Sequence, residues 1–197
     1  GGGGRSSNAA CTLSGLARLW QVRIDEREMI ELAARLGSDV PFFLSGGTAL
    51  GVGRGEEVYP IEEIRCEHLL LTNPGDMVST ADVYSRLPRL TRSGSARIIP
   101  FALPAAKADC ALPLWSSNDL EEVVSAAHPR IAELKRRLVE LGARHALMSG
   151  SGATVFGVFD NREMCERALH QVRAAGCWAE TARAINRTEY NDTIFEQ

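Results

Sequence analysis

The sequence predicts an α+β fold, and three observations carry that expectation. Apolar residues recur at three- and four-residue spacing over residues 6–22, 25–36 and 161–175, the period of amphipathic helices. Short β-like runs are joined by glycine turns, as where "GGTALGVG" is followed by "EEVYPI" and within "HALMSGSGATVFGVF". Helices and strands alternate in a mixed order, which suits packed α and β layers better than a doubly wound parallel sheet. The 197 residues suffice for one domain or one and a half, and 45% hydrophobic with 24% charged residues is the balance of a globular chain.

Each element has a local reason. The first helix, over 6–22, carries Leu13, Leu16, Ala17, Leu19 and Trp20 on one face, with Ser6, Ser7 or Asn8 as caps. The second runs from about Asp25, its cap, to Leu36, with Met29, Ile30, Leu32, Ala33 and Leu36 on one face and Gly37 as its stop. "SDVPFFL" reads as a loop, because a residue before proline is steered to extended backbone. A short strand in "GGTALGVG", a strand in "EEVYPI" and a β-run in "EHLLLTN" follow, the last ended by Pro74-Gly75. "STADVYSRL" is a helix capped by Ser79 or Thr80, and residues 91–116 have no period and read as an irregular connection. Asn118 or Asp119 starts the next helix, and Pro129 opens another that stops at Gly142. Two strands flank the "SGSG" turn, and a strand in "CWAETARAI" comes last. A boundary falls near residues 62–66.

Composition narrows the function classes. A net charge of −3 leaves no basic footprint, so nucleic acid is not an expected partner. No apolar run approaches the roughly 18 residues that span a bilayer. Cys11, Cys66, Cys110, Cys165 and Cys177 are odd in number, widely spaced and without a C-x-x-C pair. They predict reduced thiols in a cytoplasmic protein, without a disulfide framework or a zinc site. Four scattered histidines add no metal-ligand spacing, so no metal held by protein side chains is expected.

Three stretches carry chemistry. The opening "GGGGRSSN" before a helix is compatible with a phosphate-binding turn, whose unpaired N–H groups carry roughly half an elementary positive charge. It is equally compatible with a flexible linker, and it is not a Walker A loop. The sequence starts inside this pattern, so an upstream strand is expected to precede it. Asp39 stands on a turn after a helix stop, where a carboxylate either takes a proton from an attacking hydroxyl or bonds its own backbone. The small residues of "MSGSGATVF" let backbone approach either a ligand phosphate or a neighbouring helix. Met148, Phe42, Phe43, Phe156 and Phe159 read as core, and Asn118 and Asp119 as helix caps.

Taken together, "SSNAA", "LGSDVPFFLSGGTALGVGRGE", "NDLE", "ALMSGSGATVFGVF" and "RTEY" resemble the GHMP kinases through nearly the whole chain. The resemblance implies an N-terminal domain like the second domain of ribosomal protein S5, its upstream part missing, in residues 1–64. It implies a ferredoxin-like C-terminal domain in residues 65–197. It implies ATP and Mg²⁺ as cofactors and phosphorylation of a small-molecule alcohol. Gly1, Gly2, Gly3, Gly4, Arg5, Ser6 and Ser7 would form the phosphate loop of the family's second motif. Asp39 would be the catalytic carboxylate, and Thr80 falls where the family places a residue near its substrate. Gly150, Ser151 and Gly152 fall in the third motif, on the substrate side. Two features depart from the pattern. Gly2 stands where the family has Leu and Arg5 where it has the last Gly, and the family's catalytic lysine and nucleotide-base pockets precede the second motif. Another GHMP kinase with a different acceptor, or a non-catalytic fragment, remain as alternatives.

Overall fold

The computed structural model describes residues 3–86 and 118–195. The irregular connection expected over 91–116 lies outside them, as do Gly1 and Gly2. The α+β expectation holds. Two units form, Gly1–Arg65 with Ile185–Gln197, and Cys66–Ala184.

The first unit opens with α1 (Gly4–Leu19), α2 (Glu26–Leu36) and α3 (Val40–Ser45). Ala10, Ala33 and Val40 are buried where the three helices meet, with Ala9, Leu13, Phe43 and Leu44 packed around them. The small alanines let the helix backbones come close. α2 follows the sequence closely, since the Asp25 carboxylate accepts from the Glu28 N–H at 2.8 Å and Gly37 ends the helix. The apolar faces extend beyond what is covered. Leu19, Trp20 and Leu36 are exposed, and the buried cluster reaches along α1 no further than Leu13.

The segment expected to be a loop is α3, a correction to the sequence reading. Pro41 sits in the first turn, where its missing N–H costs no helical bond, so the proline rule that disfavours helix at Val40 is overruled. The hairpin of β1 (Ala49–Val52) and β2 (Glu57–Pro60) is antiparallel and closes through left-handed Gly53 and Gly55. The tail forms α8 (Arg187–Phe195), an element without apolar period. The Asn186 side chain caps it by accepting from the Glu189 N–H at 2.9 Å. It belongs with the first unit, whereas the sequence reading grouped it with the second.

The second unit runs β3 (Leu69–Asn73), α4 (Thr80–Arg86), α5 (Leu120–Ala127), α6 (Pro129–Glu140), β4 (His145–Met148), β5 (Val155–Val158), α7 (Arg162–Ala174) and β6 (Trp178–Ala182). Its sheet order is β4-β5-β3-β6 with every neighbour antiparallel, which is the split β-α-β, ferredoxin-like arrangement. Leu70, Ala146, Met148, Val155 and Ala179 from the sheet join Val124, Ile131, Leu138, Cys165 and Val172 from the helices in one core. Of the residues expected in the core, Met148 and Phe159 are buried, while Phe42, Phe43 and Phe156 are half-buried.

Among the described residues no helix is long and apolar enough to cross a membrane. Cys11, Cys165 and Cys177 are free thiols as expected; Cys66 departs from that expectation and is disulfide-bonded.

Candidate functional site

The first turn of α1 begins at a left-handed glycine. Gly3 has φ +81°, and a Cβ there would stand 2.9 Å from Phe43 Cζ on α3, so both backbone and space demand glycine. The first helical bond runs from the Ser7 N–H to the Gly3 carbonyl at 2.7 Å. The N–H groups of Gly4, Arg5 and Ser6 are therefore without intrahelical acceptors; among the described residues Gly3 supplies no side-chain cap and no acidic residue sits in the turn. Ser6 and Ser7, expected before the helix as caps, lie inside its first turns instead, as does Asn8. The left-handed Gly3 makes the cap without them. Arg5 is exposed beside the free amides. The expected loop residues Gly1 and Gly2 lie outside the described residues.

Asp39 stands at the N-terminal end of α3 with φ −86° and ψ −10°. Val40, the residue before Pro41, is already helical, and Asp39 is thus in the right-handed helical region. The side chain makes no capping hydrogen bond; the Val40 N–H goes to the Gly37 carbonyl at 3.1 Å instead. Of the two readings open for Asp39, the structure disfavours the turn residue that bonds its own backbone. The carboxylate is exposed, and Oδ1 lies 3.9 Å from where a Cβ of Gly55 would be. The hairpin glycine thus leaves the carboxylate clear on that side.

In the second unit the Thr80 and Ser151 hydroxyls share a hydrogen bond of 2.8 Å, joining the start of α4 to the β4–β5 turn. Ser79 caps α4, accepting from the Asp82 N–H at 3.3 Å, which leaves Thr80 free for that pairing. The turn glycines divide between the two readings of "SGSG". A Cβ on Gly152 (φ +89°) would meet Met148 Sδ at 3.0 Å and Val124 Cγ1 at 3.4 Å, so this glycine serves packing against α5. Gly150 (φ +55°) faces open space with nothing within 4 Å. It is the position where backbone is free to meet a ligand.

Sequence reasoning missed one residue of this turn. Asn118, read as a cap, accepts from the Leu120 N–H at 3.0 Å and also donates to the carbonyls of Met148 (2.9 Å) and Gly150 (2.7 Å). One amide side chain therefore fixes both the start of α5 and the glycine turn thirty residues on. Nothing local in "SNDL" reveals the second task.

Two family models match this chain, the GHMP kinases N terminal domain over residues 1–47 and the GHMP kinases C terminal over residues 105–176. The chain belongs to the GHMP kinase family. The N-terminal match spans the glycine turn, α1 and Asp39, and the C-terminal match spans Asn118 and the Gly150–Gly152 turn. The chain is 40% identical over 184 residues to the 4-diphosphocytidyl-2-C-methyl-D-erythritol kinase of Citrifermentans bemidjiense, covering 93% of this chain and 64% of that protein. It is 40% identical over 183 residues to the kinase of the same name from Geobacter sulfurreducens, with the same coverage. Thus the chain spans a little under two thirds of these relatives' length. Among solved structures it is similar to a 4-(cytidine 5'-diphospho)-2C-methyl-D-erythritol kinase, with TM-score 0.70, 32% identity, and coverage of 93% of this chain and 66% of that one. The homoserine kinase from Cytophaga hutchinsonii, at TM-score 0.60 and 17% identity over 89% of this chain and 62% of its own, shares the GHMP kinase fold.

Proposed function

We propose that the protein transfers the γ-phosphoryl group of ATP to the 2-hydroxyl of 4-diphosphocytidyl-2-C-methyl-D-erythritol, a step of non-mevalonate isoprenoid precursor synthesis in the cytoplasm. The relatives' shared name supports the substrate. The observation that carries the chemistry is the exposed Asp39 carboxylate, which caps nothing on a helix whose Phe43 meets the turn before α1. In this reading residues 1–64 belong to the ATP-binding domain and residues 65–197 follow as the C-terminal domain, its last helix, α8, packing back on the first unit.

The amides of Gly4, Arg5 and Ser6 and the hydroxyls of Ser6 and Ser7 hold the polyphosphate tail, with Gly3 starting the turn. Asp39 orients the acceptor alcohol and takes its proton as the alcohol oxygen bonds to the γ-phosphorus and ADP leaves. Oxygen donors of this kind suit Mg²⁺, which supplies charge neutralisation on the phosphates when it enters with ATP. In the same reading Thr80, Gly150 and Ser151 contact the acceptor substrate, with Gly150 giving open backbone and Gly152, the fourth expected residue, packing the turn against α5.

In the full-length protein, Asp39→Ala is expected to leave Mg-ATP affinity intact and to cut turnover by about 10²–10⁴-fold, the range of a positioned general base. Turnover near the parental rate would remove Asp39 from the mechanism. ADP release measured against methylerythritol, mevalonate and homoserine derivatives tests the acceptor; preference for either of the latter two would replace the substrate.

A further inference from the structure

The tail helix α8 ends far along the chain from the glycine turn and from Asp39, yet it grips the segment that joins them. The Tyr190 hydroxyl donates to the Phe43 carbonyl at 2.8 Å. Its ring lies against Gly46 (φ +65°), where a Cβ would stand 2.2 Å from Tyr190 Cδ1. Next along, Arg187 Nη2 donates to the Thr48 carbonyl at 2.9 Å, and its Nη1 pairs with Glu63 Oε1 at 3.3 Å. Glu63 in turn accepts from the Thr48 N–H at 2.9 Å. Gly47 (φ +65°) is as tightly faced as Gly46, since a Cβ there would lie 2.9 Å from the Arg187 Cβ. The "SGGT" turn and the "RTEY" tail are thus complementary surfaces: two left-handed glycines on one side, a phenol and a guanidinium on the other.

Phe43 is what gives this contact reach. Its carbonyl receives the Tyr190 hydroxyl, and its ring packs on Gly3, the residue from which the first turn of α1 springs. Phe43 also lies on α3, whose N-terminal end holds Asp39. The Ser7 side chain reaches the phenol as well, favouring its ionised form against the stronger opposing effects of burial and the Cys11 thiol.

We infer that Tyr190 is a positioning residue. By bonding the Phe43 carbonyl and packing on Gly46, it holds the first turn of α1 and the helix carrying Asp39 in one fixed arrangement. This rests on the kinase reading only for its kinetic consequence; the structural coupling stands apart from it.

The test uses Tyr190→Phe in the full-length protein, which keeps the ring on Gly46 and removes the hydroxyl. Amide exchange at residues 7–10 and 44–46, the first hydrogen-bonded amides of α1 and α3, is expected to quicken by up to about tenfold, the most that one neutral hydrogen bond carries, with residues 131–138 unchanged. kcat/KM for Mg-ATP is expected to fall by about the same factor. Val172→Ala, in the core of the second unit, supplies a variant whose melting temperature falls without loss of kcat/KM. Unchanged exchange at 7–10 and 44–46 would overturn the inference, as would an activity loss that merely tracks melting temperature in both variants. If Tyr190→Phe fails to fold, the parental protein decides. The amides of 189–191 and 44–46 should share one opening free energy, and separate openings would overturn the coupling. Exchange needs no substrate, so absence of phosphoryl transfer in the parental protein would sink the kinase reading alone.

Discussion

Gly3 and Gly4 are neighbours in one glycine run and answer to different physics. Gly3 is left-handed and pressed against the Phe43 ring, while Gly4 is helical with nothing within 4 Å of where its Cβ would be. Gly3→Ala is therefore expected to lower the melting temperature, since a left-handed alanine costs roughly 1–2 kcal/mol before the ring moves. Gly4→Ala should hold or raise the melting temperature, because alanine favours helix over glycine by about 1 kcal/mol. If a phosphate rests on these amides, Gly4→Ala should nonetheless weaken Mg-ATP binding by placing a methyl group at the open face. Thermal melts and calorimetric titration of the pair separate the two effects, and unchanged ATP affinity in Gly4→Ala would put the anion elsewhere. The sequence made the run legible as a turn before a helix. It did not distinguish the glycine that folds the turn from the one that leaves it open, because that depends on Phe43, forty residues away.

At the scale of elements, periodicity revealed the helices that carry an apolar face, such as α1, α2 and α7, while Pro129 and Gly142 marked the ends of α6. It missed α3 and α8, each for its own reason. α3 spans only Val40–Ser45, too short for a period, and α8 is held by Tyr190 and Arg187 through polar contacts that hydropathy does not register. Asn118 shows the same limit in the second unit, where its cap to Leu120 is local and its two bonds to the glycine turn are not. Asn118→Ala removes both donors from the Met148 and Gly150 carbonyls and should cost about 1–3 kcal/mol in urea unfolding. Asn118→Asp is the sharper variant. It keeps the acceptor for Leu120 but sets a carboxylate against two carbonyl oxygens, so it is expected to destabilise at least as much as alanine. An aspartate variant of parental stability would mean the turn is held by the Thr80–Ser151 pair and the strands alone.

At the scale of the whole molecule, the second unit is one continuous stretch whose ends meet. The Ala184 N–H donates to the Cys66 carbonyl at 2.7 Å, and the chain returns to the first unit directly afterwards. A contiguous unit with adjoining ends and its own core is expected to fold when residues 66–184 are produced alone, with a single cooperative urea transition. Its stability should also carry a signature of pH. Cys165 is 2% exposed within this core, and burial, with the Glu166 carboxylate adding to it, pushes the thiol from 9.0 up to about 11. The unfolded chain then releases the thiol proton near pH 9 while the folded unit keeps it, so the unfolded state binds fewer protons across that window. The stabilisation is complete below pH 9 and is lost progressively as pH rises towards 11. Cys165→Ala, in the same fragment, removes the titrating group and should flatten that part of the decline. Parallel urea melts across the window decide it: equal slopes for the two proteins would mean that the thiol is not shielded by this core, and with it that the α7 face does not close on the sheet when the unit stands alone.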